Sequence, residues 1–178
     1  MGDAEWRLSL YFDPAAIRGF DPRRVVSELV SCIEGLEAHR EWLCTIVAEL
    51  FNNAIEHGLL TLDSSMKYTT EGFQEYYRRR DWGIDALDDG WVKMEFVHQP
   101  TSEGGFLQIE VIDSGNGFDY TAVAAGRSLE RGQVSRGLMV VRNLCADVQH
   151  SPPGNRVKAI YEWTRNHTVR RSGAGLKP

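Results

Sequence analysis

The stretch "ELFNNAIEHG", residues 49 to 58, places two carboxylates, two amides and an imidazole inside a pattern otherwise suited to a buried helix. Glu49 and Asn53 stand one helical turn apart and so project from the same face. At that spacing a carboxylate and an amide can divide labour. The amide oxygen ligates Mg²⁺ on a nucleotide's phosphates, and the carboxylate takes a proton from an attacking hydroxyl or water. An i,i+4 hydrogen bond on a surface helix explains the same pair, so the pair alone decides nothing. Further along, "VIDSGNG" sets Asp113 at the end of a strand and follows it with Gly115 and Gly117. A carboxylate acceptor is thereby held on a rigid support, beside backbone that lacks side-chain bulk. A flat heterocycle with an exocyclic amine fits such a place, and an ordinary turn fits it equally well. In "SRGLMVVRNL", Gly137 lies at a helix start with Arg136 beside it; free N–H groups and the positive end of the helix dipole attract phosphate there. A plain helix start is again the alternative. The preceding loop, with Gly126, Arg127, Arg131 and Gly132, is the kind of segment that folds over a ligand.

These residues need elements to hold them. "WRLSLYF" alternates as a strand over residues 6 to 12, and Asp21 followed by Pro22 opens an amphipathic helix to about Leu36. From about Arg40 to His57 the sequence sorts into columns four residues apart. Trp42, Ile46, Leu50 and Ala54 form one apolar column, and Leu43, Val47, Phe51 and Ile55 a second. Glu41, Thr45, Glu49, Asn53 and His57 flank the first column, rotated by about 100°. Gly58 reads as the C-cap that ends this helix. Residues 59 to 90 read as an insertion with a helix from Thr70 to about Asp81. Its cluster Tyr76, Tyr77, Arg78, Arg79, Arg80 suits a partner or nucleic-acid patch, but a solvated helix face is the commoner explanation. "WVKMEFVHQ" and "GFLQIEVID" form a β-hairpin, and a helix from Arg136 and two strands, near 147–150 and 157–163, complete the chain. The order predicts an α+β two-layer sandwich, one mixed sheet with helices on one face, over residues 1–164. Residues 165–178 read as a disordered tail.

Composition bounds the chemistry. The 178 residues are 42% hydrophobic, enough for one core, and a formal charge of −5 gives no overall attraction to nucleic acid or anionic membrane. Any anion site must be local. Cys32, Cys44 and Cys145 form no Cys-x-x-Cys pair and are expected to be reduced and buried. No apolar run approaches the roughly 20 residues that cross a bilayer, which points to a cytoplasmic protein. His39 reads as a surface residue in an interhelical turn, and His98, His150 and His167 show no metal-ligand spacing.

Taken in order, "ELFNNAIEHG", "DSGNGFD" and "SRGLMVVRNL" resemble the N, G1 and G2 boxes of the GHKL ATPase superfamily, which includes gyrase and the histidine kinases. Within it, the resemblance is closest to bacterial anti-sigma-factor serine kinases, whose N box likewise runs Glu-x-x-x-Asn-Ala-x-x-His-Gly. The similarity spans roughly residues 6 to 163. The insertion, especially "GLLTLDSSMKYTTEGFQEYYRRR", is similar to kinase-like domains at the C-terminus of response-regulator phosphatases, which implies an excised domain.

This resemblance implies a Bergerat-type ATP-binding fold with ATP and Mg²⁺ as cofactors. Glu49 would be the general base and Asn53 the Mg²⁺ ligand, with His57 lining the phosphate end. Asp113 would read adenine, and Gly115, Gly117, Arg136, Gly137 and Leu138 would surround the nucleotide. The implied activity is serine/threonine phosphorylation of an anti-anti-sigma factor (STAS-type). A sigma factor or other anti-sigma regulator is a further partner, a homodimer one assembly, and no nucleic acid or membrane is involved. A non-catalytic module that binds ATP and a regulator is the alternative. One departure stands out: Ser135 occupies a position where the G2 box commonly has glycine, which bears on lid closure and phosphate affinity.

Overall fold

The computed structural model describes residues 4–117 and 136–165. Strand β1 (Trp6–Phe12) alternates as its sequence requires, with Arg7, Ser9 and Tyr11 exposed and Phe12 buried. Helix α1 (Pro14–Gly19) follows, a short element that periodicity did not reveal. Its start is nonetheless written in Asp13, whose side chain accepts from Ala16 N at 2.8 Å, and in Pro14 at the first helical position. Helix α2 (Pro22–Cys32) opens the same way on Asp21 and Pro22 but stops short of Leu36. Ile33 is already extended, and Gly35 at φ 87° turns the chain into a 3₁₀ turn, Leu36–His39.

Helix α3 (Arg40–Asn53) carries both expected apolar columns into the core. Leu43, Ile46, Val47, Leu50 and Phe51 are buried, so truncating any one to alanine would cost about 2–5 kcal/mol. Beyond Asn53 the chain does not end in a glycine cap. It widens into a π-helical stretch, Ala54–Leu59, with Leu60 N bonded to Ile55 O at 2.9 Å, and Gly58 is absent from the residues with positive φ. Such widenings re-aim the side chains that follow and recur at functional sites.

After a 3₁₀ turn at Ser64–Tyr68 comes helix α4 (Thr70–Asp85), then strands β2 (Val92–Pro100) and β3 (Gly104–Asp113). Helix α5 (Arg136–Leu144) and strands β4 (Asp147–Ser151) and β5 (Arg156–Thr164) finish the described chain. The sheet order is β1-β2-β3-β5-β4. The α+β two-layer architecture is as expected, but every strand pairing is antiparallel where a mixed sheet was anticipated. The helices between β1 and β2 return the chain to the end of the sheet where β1 finished, so β2 runs back against it. Register carries one row, Leu10, Met94, Val111, Val157 and His150, across all five strands, and sets Asp113 beside Val92 and Phe12 in the next.

The insertion is not a loose appendage. Tyr76, read from sequence as part of a solvated cluster, is fully buried, and its hydroxyl donates to Glu56 Oε2 at 2.6 Å. Lys67 and Arg80 each reach the Glu56 carboxylate at 3.0 Å, and Arg80 also donates to Asn52 Oδ1 at 3.3 Å. Burial pushes the Glu56 carboxyl up, but the Tyr76 and Lys67 hydrogen bonds, with the Lys67 and Arg80 charges, outweigh it and hold it below the usual range. Tyr77, Arg78 and Arg79 of the same cluster are exposed. From the other side, Arg18 donates to the carbonyls of Ile84, Asp85 and Leu87 at the end of α4.

Two further expectations are corrected. His39 is buried, with Nδ1 at 2.7 Å from the Tyr161 hydroxyl and Nε2 at 3.1 Å from Thr164 O, because the 3₁₀ turn packs against β5 rather than facing solvent. Cys32 is exposed at the last position of α2, and Cys44 and Cys145 are half-buried; all three are free thiols. No helix among the described residues is long and apolar enough to cross a membrane. Of the expected tail, residues 165–178, only Arg165 is described, its N–H bonded to Glu103 O at 2.8 Å; the remainder and the glycine- and arginine-bearing loop with Ser135 lie outside the described residues.

Candidate functional site

Between the end of α3, the end of β3, the start of α5 and the β4–β5 turn lies a cavity of about 420 Å³, within the range typical of small-molecule sites. All three sequence segments reach it: Asn53 and His57 from the first, Asp113 and Gly117 from the second, Leu138 from the third. Leu50, Val111 and Val157 give it an apolar wall suited to a flat ring.

Asp113 is the polar centre of one end. Its backbone is clamped by Asn155, which donates Nδ2–H to Asp113 O at 2.8 Å and accepts from Asp113 N through its own carbonyl at 3.0 Å. Oδ1 accepts from Gly115 N at 2.9 Å, and among the described residues Oδ2 takes no hydrogen bond. Burial pushes the carboxyl up to about 6, and the Gly115 bond pulls the other way. A buried carboxylate with one oxygen tied and one open is an acceptor waiting for a donor such as an exocyclic amine.

Gly58 explains its own identity here. A Cβ on it would overlap the Asp113 carboxylate, and one on Gly115 would overlap Gly58 O. The glycine expected to cap a helix is instead required by close approach, and the π-helical stretch delivers it. His57 lines the cavity and hydrogen-bonds Leu62 O at 3.0 Å through Nδ1, so it secures the chain that leaves the π-helical stretch.

Glu49 and Gly137 meet one helical turn before Asn53, outside the lining itself. The Glu49 carboxylate lies so close to the first turn of α5 that a Cβ on Gly137 would overlap it. A helix N-terminus that accommodates a carboxylate also suits phosphate. Burial first, then repulsion from Glu56, raises the Glu49 carboxyl above the usual range, with Lys67 opposing. It remains a base, and a stronger one than an exposed carboxylate. Glu49, Gly115, Arg136 and Gly137 are not among the residues that line the cavity: Glu49 packs against Gly137, Gly115 sits against Gly58, and Arg136 begins α5. Glu49 and Gly58 are separated by one turn of α3 and then by the π-helical stretch. The acceptor, Asp113, thus lies in the lining, with the base and the helix terminus beyond it on the Asn53 side.

Sequence reasoning missed the 61–64 segment, His150, Asn155 and Arg156, all of which line the cavity. His150 had a legible signal in the β4 alternation; Asn155 had none, since its role is fixed by the fold of the β4–β5 turn. No group of three or more His, Cys, Asp or Glu side chains that could hold a metal is found among the described residues. A cation here would therefore be shared between the Asn53 amide oxygen and oxygens of the bound ligand, the usual manner of Mg²⁺ with phosphates.

The sequence pattern of the histidine kinase-like ATPase domain family matches residues 12–161. No curated protein matches the chain.

Proposed function

Because the chain belongs to the histidine kinase-like ATPase domain family, we propose that it is a protein serine/threonine kinase of the anti-sigma-factor type, acting in the cytoplasm of a bacterium. Its substrates are ATP and a serine or threonine hydroxyl on a STAS-type anti-anti-sigma protein. The observation that carries this reading is the single cavity on which all three sequence segments converge.

Adenine lies against Leu50, Val111 and Val157 with its amine donating to Asp113, and the phosphates extend along α3 toward the start of α5. Bound Mg²⁺, held by Asn53 and phosphate oxygens, would neutralise charge on the triphosphate. Glu49 takes the proton of the attacking hydroxyl, the hydroxyl oxygen bonds the γ-phosphorus, the bond to the β–γ bridging oxygen breaks, and ADP leaves. Little covalent work falls to the protein in such a transfer; position and electrostatics dominate.

Mixing the protein with Mg-ATP and an isolated serine-bearing STAS partner tests this. Phosphoserine should form with the native chain, and Glu49→Gln should lose transfer while still binding ATP. Undiminished transfer in Glu49→Gln would refute the base assignment. Tight ATP binding without any phosphoserine would leave the nucleotide-binding regulator, whose partner affinity ATP shifts without turnover.

A further inference from the structure

We infer that Thr61 is a further nucleotide contact, its hydroxyl hydrogen-bonding the nucleoside half of the ATP whose binding the proposed function requires. Thr61 lies at φ 49°, the one non-glycine with positive φ among the described residues. A β-branched side chain is strained there, whereas glycine or asparagine is at ease. The chain holds the conformation from both sides: Leu60 N donates to Ile55 O at 2.9 Å, and Leu62 N donates to Glu56 O at 2.7 Å.

Nothing in the packing of Thr61 itself accounts for that strain. The residue is exposed, and among the described residues its hydroxyl has no hydrogen-bond partner. Yet it lines the cavity. Strained residues of this kind cluster at ligand clamps, where the surrounding structure holds them in place.

Position tells which half of the ligand it meets. Gly58, shortly before it in sequence, lies against the Asp113 carboxylate, whereas Glu49, packed against Gly137, is a helical turn before Asn53 and lies outside the lining. Thr61 therefore flanks the acceptor end. In a lining that also holds the apolar Leu62 and Val157, a single hydroxyl fixes orientation against the ribose or base edge.

Two variants and three nucleotides test this. Thr61→Gly should raise Tm by about 1–4 °C, since glycine relieves the strain, and yet weaken ATP, ADP and AMP equally, by about fivefold. Thr61→Ser, which keeps the hydroxyl, should bind within about twofold of the native chain. Native affinity in Thr61→Gly, a loss confined to ATP, or an equal loss in Thr61→Ser would overturn the contact while leaving nucleotide binding intact. If the native chain bound none of the three nucleotides, the proposed function would fall and this contact with it.

Discussion

Replacing Asp113 with asparagine should make the ligand-free protein more stable while removing its nucleotide affinity. Burial raises this carboxyl from 3.8 to about 6, about two units, so holding it charged at neutral pH costs roughly 3 kcal/mol. The sign follows from linkage. The folded state holds the proton more tightly than the unfolded chain, so the penalty is absent below 3.8, grows toward about 6 and is complete above it. Asparagine removes the penalty, in which the bond from Gly115 N is already counted, but places an amide N–H with no partner in the ligand-free site, which costs back about 1–2 kcal/mol. A net gain of about 1–2 kcal/mol remains at pH 7.5, or about 2–8 °C in Tm for a chain of this size. The gain should vanish as pH falls toward 4. Binding must suffer, because with its oxygen on Gly115 N the amide turns an NH2 donor toward the adenine amine, itself a donor; a loss of at least about tenfold is expected. Differential scanning fluorimetry across pH, with calorimetric ATP titration, reads both quantities. A variant less stable than the native chain at pH 7.5, or one binding ATP equally well, would refute the reasoning.

The same group gives the native protein a pH dependence. ATP affinity should fall as pH drops below about 6, where Asp113 becomes protonated and loses its acceptor, and binding near pH 5.5 should release protons, seen as a buffer-dependent calorimetric heat. Gly58→Ala should lower stability by about 2 kcal/mol or more, because its Cβ would overlap the Asp113 carboxylate, and should abolish ATP binding; urea unfolding and titration check the two effects. Tyr76→Phe leaves Glu56 with one donor fewer in a buried cluster, so it should cost about 1.5–3 kcal/mol in urea unfolding. The low Glu56 carboxyl adds stability that is present above its unfolded value and lost as pH falls through the lower folded one.

Much of the site is legible before any coordinates. The columns of α3 place Glu49 and Asn53 on one face beside an apolar wall, and the glycines after β3 announce a tight approach. Period-2 alternation likewise fixes the strands from which Asp113 and His150 project. Other features depend on tertiary contacts. Gly58 reads as a cap because nothing local says that a carboxylate from β3 will press against it. The burial of Tyr76 and His39 is equally hidden. Each has a polar partner far away in sequence, Glu56 for one and Tyr161 with Thr164 for the other, and those partners offset the cost of taking the side chain out of water. Thr61 is the sharpest case, since composition gives no sign that a threonine occupies a left-handed position.

Calorimetric titration of the native chain with ATP, with Mg²⁺ and then with Mg²⁺ chelated, tests the shared cavity most directly. One ATP should bind per chain, and more weakly without the metal. Absence of any binding heat, together with a Tm unmoved by millimolar Mg-ATP, would mean that the converging segments form no nucleotide site.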